Sequence, residues 1–283
     1  MLVFGLMGAV PAIAQVSLEV TLDQEQFLPG EALMAHVRLT NRSGETLQLG
    51  ADSDWLAFGV ESRDGYVVLK TGDVPVTGAF TLESSKRAIK QVNLAPYFNL
   101  SKPGRYAITA TVVIKNWNQV ITSTPVLFDI ILGAQIWSQE FGVPNSADPS
   151  NAPPAVRRYA LQQANHLKKG LMLYFRLADP TGKFNKVFPI GPMISFGQPD
   201  AQLDQVSNLH VLYQNGPRTF NYIVINTDGD VLQRAIYEFT TRPRMQLNEK
   251  GQIIVVGGSL RQSSGEVPPA KPDNTNHVVA PAP

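Results

Sequence analysis

From Val16 onward the apolar residues fall at every second position. Val16, Leu18, Val20 and Leu22 alternate with Ser17, Glu19 and Thr21, and Leu33, Ala35, Val37 and Leu39 do the same, as do Ile108, Ala110, Val112 and Ile114. Successive side chains of a strand point to opposite faces, so this period demands sheets with one buried and one wet face. The runs are punctuated by Pro29-Gly30, Ser43-Gly44, Asp64-Gly65 and Pro103-Gly104, where the chain reverses. The spacing predicts strands near 16–22, 33–40, 54–61, 65–70, 86–93, 104–115 and 119–132, a density that indicates a β-sandwich. In residues 135–262 only 156–167 shows a short helical periodicity. The expected fold class is therefore all-β.

Composition removes several function classes. The 283 residues include no cysteine, which excludes a disulfide framework, thiolate metal sites and a cysteine nucleophile. A net charge of +1, from 24 basic and 23 acidic residues, supplies no global field for nucleic acid or an anionic membrane.

The two ends do not read as fold. Residues 2–14, LVFGLMGAVPAIA, form an apolar stretch ending in Ala12-Ile13-Ala14, the small-x-small pattern of a signal-peptidase site. It lacks a Lys or Arg ahead of the apolar core, and it is short of the ~20 residues a transmembrane helix needs. Residues 1–14 are read as a signal peptide. The mature chain then begins at Gln15 without a transmembrane segment and is exported, to the periplasm, the cell surface or the medium. At the other end, residues 263–283 are rich in proline and poor in large apolar side chains. A disordered tail is expected there.

The first half carries a resemblance. The run Phe27-Leu28-Pro29-Gly30-Glu31, followed by a strand closing on Leu39-Thr40-Asn41, resembles the opening of bacterial immunoglobulin-like and fibronectin-III-like domains. Leu100-Ser101-Lys102-Pro103-Gly104-Arg105-Tyr106-Ala107-Ile108 resembles their turn into strand F. The resemblance implies an immunoglobulin-like β-sandwich over residues 15–134, with Tyr106 as a tyrosine corner whose hydroxyl bonds back across the turn. It implies no function.

The second half repeats. Pro199-Asp200-Ala201-Gln202-Leu203-Asp204 parallels Pro243-Arg244-Met245-Gln246-Leu247-Asn248 at an offset of 44, and in the same register Ser207 faces Gly251, Leu209 faces Ile253 and Val211 faces Val255. Tyr174-Phe175-Arg176-Leu177 with the turn Asp179-Pro180-Thr181-Gly182 parallels Tyr222-Ile223-Val224-Ile225 with Asn226-Thr227-Asp228-Gly229. Such a period is the length of a propeller blade, but residues 155–262 hold too few copies to close a propeller, which takes about four. The segment is an incomplete blade array, a small β-meander sandwich, or half of something completed by a partner. The reading adopted is a smaller blade-like β-meander module, with residues 135–154 as a linker on the composition of 145–154, NSADPSNAPP.

The search for chemistry finds little. The four histidines His36, His166, His210 and His277 show no metal-ligand spacing, and no phosphate loop, nucleophile elbow or HExxH is present. Asn226-Thr227-Asp228-Gly229-Asp230 has the look of a calcium loop, but an EF-hand frame needs acids at Val224 and Ala235. It reads instead as a hairpin turn. No catalytic residue, metal or cofactor is assigned. Binding candidates are Trp117, at a hairpin tip as either a cross-strand cap or an exposed anchor, and Arg157, Arg158, Arg242 and Arg244. These arginines occupy matching places in the repeat and are candidates for an anion patch, or else solvated strand faces. The expected function is a non-catalytic exported module binding a protein or polysaccharide, or serving as a spacer in the cell envelope or extracellular space. The alternative is an accessory part of a secreted hydrolase, or a protease-inhibitor-like protein.

Overall fold

The structure is a computed structural model that describes residues 15–143, 155–180, 185–264 and 276–279. It is all-β, with antiparallel sheets and two single 3-10 turns, Ala95–Tyr97 and Lys115–Trp117. Among the described residues no helix is long and apolar enough to cross a membrane. The signal-peptide reading of residues 1–14 lies outside the described residues.

The first module contains β1 (Val16–Leu22), β2 (Gln26–Phe27), β3 (Met34–Asn41), β4 (Leu47–Leu49), β5 (Leu56–Ser62), β6 (Phe80–Leu82), β7 (Arg87–Asn93), β8 (Gly104–Ile114), β9 (Gln119–Thr122) and β10 (Val126–Ile130). One sheet runs β1-β3-β7; the facing sheet runs β2-β10-β8-β5, with β9 also on β8, and β4 pairs with β6. The alternation decides the facing. Leu18, Val20, Ala35, Val37 and Leu39 from one sheet meet Phe58, Val60, Ile108, Ala110 and Phe128 from the other in one buried core. Tyr106 is fully buried, and its hydroxyl donates to the Lys102 carbonyl at 2.6 Å, the bond back across the turn expected of it.

Several strand expectations need correction. The run 65–70 is not a strand; it makes a single bridge, Lys70 to Phe98. The run 119–132 is two strands. Pro125 has no N–H for a ladder, and Ser123 fills the gap by donating its N–H to the Ala110 carbonyl while its hydroxyl accepts from the Ala110 N–H. The short strands β2, β4 and β6 carry too few residues to show a period.

The second module contains β11 (Ala134–Val143), β12 (Ala155–His166), β13 (Gly170–Ala178), β14 (Asn185–Pro192), β15 (Asp200–Leu203), β16 (Leu209–Gln214), β17 (Thr219–Ile225), β18 (Val231–Glu238), β19 (Arg244–Leu247), β20 (Ile253–Val256) and β21 (Ser259–Ser264). It is two packed sheets, β11-β12-β13-β14 and β15-β16-β17-β18-β21, with the β19-β20 hairpin laid over the outer face of the second. The helical periodicity of 156–167 is overruled, because β12 is paired along its length to both β11 and β13. The linker reading of 135–154 fails in its first part. Residues 134–143 are β11, paired with β12 from Ala134↔Gln163 to Val143↔Ala155, and the change of module falls at residues 131–133. Residues 144–154 lie outside the described residues.

The repeat is real in register and different in setting. In β15-β16 the pairs are Asp200↔Leu212, Ala201↔Val211, Gln202↔His210 and Leu203↔Leu209; in β19-β20 they are Arg244↔Val256, Met245↔Val255, Gln246↔Ile254 and Leu247↔Ile253. Every pair matches at the offset of 44. The two copies do not face one core layer. Leu209 and Val211 enter the core between the two sheets, whereas Met245 and Ile253 pack against Leu212, Phe220, Tyr222 and Val224 on the outer face. The module is therefore a layered meander sandwich rather than an array of blades.

In the tail, Asn276–Val279 forms a strand, β22, paired antiparallel to β7 with His277↔Ile89 and Val278↔Ala88. Disorder was expected for this segment; the backbone satisfies itself instead on the open edge of β7. The rest of the tail beyond Ser264 lies outside the described residues.

Candidate functional site

Three hairpin turns of one design lie 22 residues apart, beginning at Asp204, Asn226 and Asn248. In each, the first residue's side-chain oxygen accepts backbone N–H groups two and four residues on: Val206 and Asn208 at 3.0 and 2.8 Å, Asp228 and Asp230 at 3.0 and 2.7 Å, and Lys250 and Gln252 at 2.9 Å each. The fourth residue is left-handed, with φ of 64° at Ser207, 77° at Gly229 and 73° at Gly251. This is a type I turn closed by a left-handed residue, and an Asx side chain holds its start.

The first of these turns carries the most organised polar constellation among the described residues. His210 Nδ1 meets the Tyr222 hydroxyl at 2.5 Å, and His210 Nε2 meets Asp204 Oδ2 at 3.2 Å. An acid, an imidazole and a hydroxyl in line have the order of a nucleophile relay. Their surroundings oppose that use. Burial works to raise the Asp204 carboxyl, but the Asn208 N–H, the His210 ring, the Asn208 amide and the Val206 N–H together hold it below its usual range. Burial pushes the Tyr222 hydroxyl up, with the neighbouring Tyr237 and Asp204 adding to it, the reverse of nucleophile activation. Tyr222 lies in the core that Met245 and Ile253 complete, beneath the β19-β20 hairpin. The chain Asp204–His210–Tyr222 is a saturated, covered lock between a turn and the sheet. Strand alternation by itself puts His210 on the face opposite Leu209; the outer hairpin buries that face.

The sequence-derived binding candidates do not converge. Trp117 is a cap: it packs against the first core and its indole N–H donates to Glu45 at 3.3 Å. Arg157 is committed to the Asn226 turn, donating to the Thr227 carbonyl at 2.6 Å and to Asp228 at 2.8 Å. Beside it, the Tyr159 hydroxyl donates toward the carbonyls of Asn226 at 2.8 Å and Ser207 at 3.1 Å, so β12 staples two of the three turns. Arg158 pairs with Glu140 across β11-β12. Arg242 and Arg244 are exposed and lie by Gly257 and Gly258, at the Glu238 end of β18, opposite the end that Arg157 holds. The single anion patch is therefore not formed.

What the sequence did not single out as a site is the seam between the modules. Leu28, almost fully buried, packs with Ala164, Met172, Tyr174 and Val187. Around this contact Arg176 donates to the Pro29 carbonyl at 2.6 Å, the Leu167 N–H donates to Gln26 at 2.8 Å, and Glu31 bridges to Val187 in parallel. Glu31 is the buried carboxylate among the described residues. Burial raises its pKa, opposed by the Leu28 N–H, the Gln24 amide and the charge of Lys169. A cavity of about 360 Å³ borders the seam, lined by Leu28, Glu31, Phe98, Asn99 and Arg176 among others. The side chains of Arg176, Gln26 and Glu31 that anchor this seam are each spent on the protein itself. Among the described residues no group of acidic and histidine side chains is placed to hold a metal ion.

Comparison with known proteins adds little to this geometry. No family model matches the chain, and no curated protein matches it. A likeness to the solved structure of Spo0M, a sporulation control protein from Bacillus subtilis, spans 58% of this chain and 80% of that one, at 11% identity and a TM-score of 0.32; it is too slight to carry an argument about fold or function.

Proposed function

We propose that this chain is a non-catalytic exported β-protein, a binding or structural module of the cell envelope or the extracellular space, with a protein or polysaccharide as its partner. The observation that carries the reading is the Asp204–His210–Tyr222 chain. It is the arrangement nearest to a reactive centre, and its carboxylate and both ring nitrogens are occupied beneath an apolar hairpin. The apolar stretch ending in Ala12-Ile13-Ala14 supports export, and the immunoglobulin-like resemblance of residues 15–134 suits a module that presents surfaces rather than chemistry.

The test uses the full chain expressed in its source cells. N-terminal sequencing of the extracytoplasmic fraction should read from Gln15, and an affinity pull-down from an envelope extract should retain a specific protein or glycan. An intact Met1 in the cytosol would overturn export. Hydrolysis of ester, glycoside or peptide substrates that disappears in His210→Ala, with folding intact, would overturn the non-catalytic reading.

A further inference from the structure

Strand β7 ends its sheet but for the tail, and half of its backbone points away from that sheet. The Asn41 N–H donates to the Lys86 carbonyl at 3.0 Å, and the Leu94 N–H donates to the Leu33 carbonyl at 2.9 Å. These two bonds fix the alternation between them. The even-numbered residues from Lys86 to Leu94 bond to β3, so the N–H and C=O groups of Arg87, Ile89, Gln91 and Asn93 point to the open edge. Arg87 and Gln91 are exposed and Ile89 and Asn93 half-buried, so this row is reachable from solvent. Strand β22 takes only its first half. Val279 pairs with Arg87 and His277 with Ile89, and the pairing ends at Asn276↔Lys90. Among the described residues the backbones of Gln91 and Asn93 make no hydrogen bond on that edge.

Four residues hold a strand weakly. A backbone hydrogen bond contributes a net amount similar to the entropy lost in ordering one residue, so a four-residue strand is close to break-even. What favours β22 on this edge is its connection. Eleven residues, 265–275, join it to Ser264 and set a local concentration on the order of mM. A second copy offers the same four residues without that advantage, so in dilute solution it loses to the chain's own tail. A strand that also reaches Gln91 and Asn93 makes bonds that β22 does not. Side chains of directly paired residues share a face of the sheet. Ala88 lies on the buried face of β7 and Gln91 on the exposed one. The strand that fits is therefore apolar opposite Ala88, polar opposite Gln91, and free of proline at the bonding positions.

We propose that the edge of β7 is the surface on which this module takes a protein partner, by adding one extended antiparallel strand of that partner, and that residues 276–279 are its internal occupant. The incoming strand displaces β22 and continues past it to Asn93. Main-chain bonds supply the affinity and the side-chain alternation supplies the specificity. The proposal names the recognition mode of the binding module argued above and rests on that reading.

The experiment is fluorescence-anisotropy titration of the full chain with a labelled peptide of residues 273–280 carrying Asn274→Val. In the register of β22 this peptide reaches Asn93 and sets an apolar residue opposite Val92. The native chain should bind it. The full chain with His277→Pro, which removes a tail N–H that bonds β7, should bind it at least about threefold more tightly, because the occupant no longer competes. The same peptide with Thr275→Pro should bind at least about tenfold more weakly. So should the native peptide partner of a Gln91→Pro chain, whose lost N–H belongs to the open edge and not to the β3 ladder. Thermal unfolding checks both chain variants, and the Thr275→Pro peptide tests the edge in the native chain whatever the fate of Gln91→Pro. No binding to either the native or the His277→Pro chain at ~1 mM would overturn the site. So would equal affinity in those two chains, binding indifferent to both proline changes at the Gln91 position, or a dimer of the native chain that His277→Pro abolishes. Retention of an envelope protein that Gln91→Pro does not weaken would overturn this edge and leave the module reading standing.

Discussion

Ser207 is the one member of the three matched turn positions that is not glycine, and it sits at φ 64° where Gly229 and Gly251 sit at 77° and 73°. An L side chain in the left-handed region costs roughly 1–2 kcal/mol, and glycine is free of that cost but loses more entropy on folding. Ser207→Gly should therefore stabilise the protein by a net ~0.5–1 kcal/mol, read as a higher urea midpoint with an unchanged slope. A loss of stability would show that the serine side chain is doing something its geometry does not reveal. The Ser207 carbonyl that accepts from Tyr159 belongs to the backbone and survives the change. His210 illustrates the same scale from the other side. On the strand it alternates with Leu209 and Val211 and reads as solvent-facing, yet it is buried because a hairpin 44 residues later covers it.

At the scale of elements, the two copies of the repeat separate shape from setting. Leu209 and Ile253 hold the same place in superposable hairpins, but Leu209 is fully buried between two complete sheets, and Ile253 is pressed under a two-stranded flap. Truncation of a buried Leu or Ile to Ala costs about 2–5 kcal/mol, less where the site can collapse. Leu209→Ala should sit in the upper half of that range and Ile253→Ala near its floor, both measured by denaturant unfolding. Equal losses would mean that the outer flap is packed as rigidly as the inter-sheet core. What the sequence made legible follows the same division. Period-two alternation is a local signal, so β1, β3, β7 and β8 are readable along the chain, and so are turns such as Asn226–Asp230 whose residues bond one another. The helical look of 156–167 was a local signal too, and pairing with distant strands overrode it, as it overrode the extension of the linker from 145–154 back over 135–143. The site resisted reading for a related reason. Arg157 and Arg244 resemble each other in sequence, but what they face is decided by the sheet stacking.

At the scale of the whole molecule, the two modules are joined by residues 131–133 and by a seam whose central residue, Leu28, lies within the very run that resembles an immunoglobulin-like opening. The same short segment begins one sandwich and docks the other. Buried at this seam, His166 bonds the Tyr174 hydroxyl at 2.6 Å. Burial, and then the charge of Lys169, lowers the His166 pKa from its ordinary 6.5. The sign follows from proton linkage. The folded state holds this imidazole neutral, the unfolded chain takes up a proton as pH falls through about 6.5, and stability drains away on the acid side. Glu31 works in the other direction: its raised pKa means the folded state binds the proton more readily, and the stability it contributes at low pH is lost as pH rises past 4.5 through the folded value. The two groups therefore give slopes of opposite sign, and the His166→Gln variant isolates the part that belongs to the imidazole. Unfolding free energy should fall over that interval, and His166→Gln, which keeps a polar group against Tyr174 and cannot ionise, should flatten the dependence. Limited proteolysis across the same interval should show residues 131–133 becoming cleavable in the native chain on acidification and remaining resistant in His166→Gln. A native chain whose stability and cleavage pattern do not change between pH 7.5 and 6 would mean that the seam holds without regard to the charge on His166.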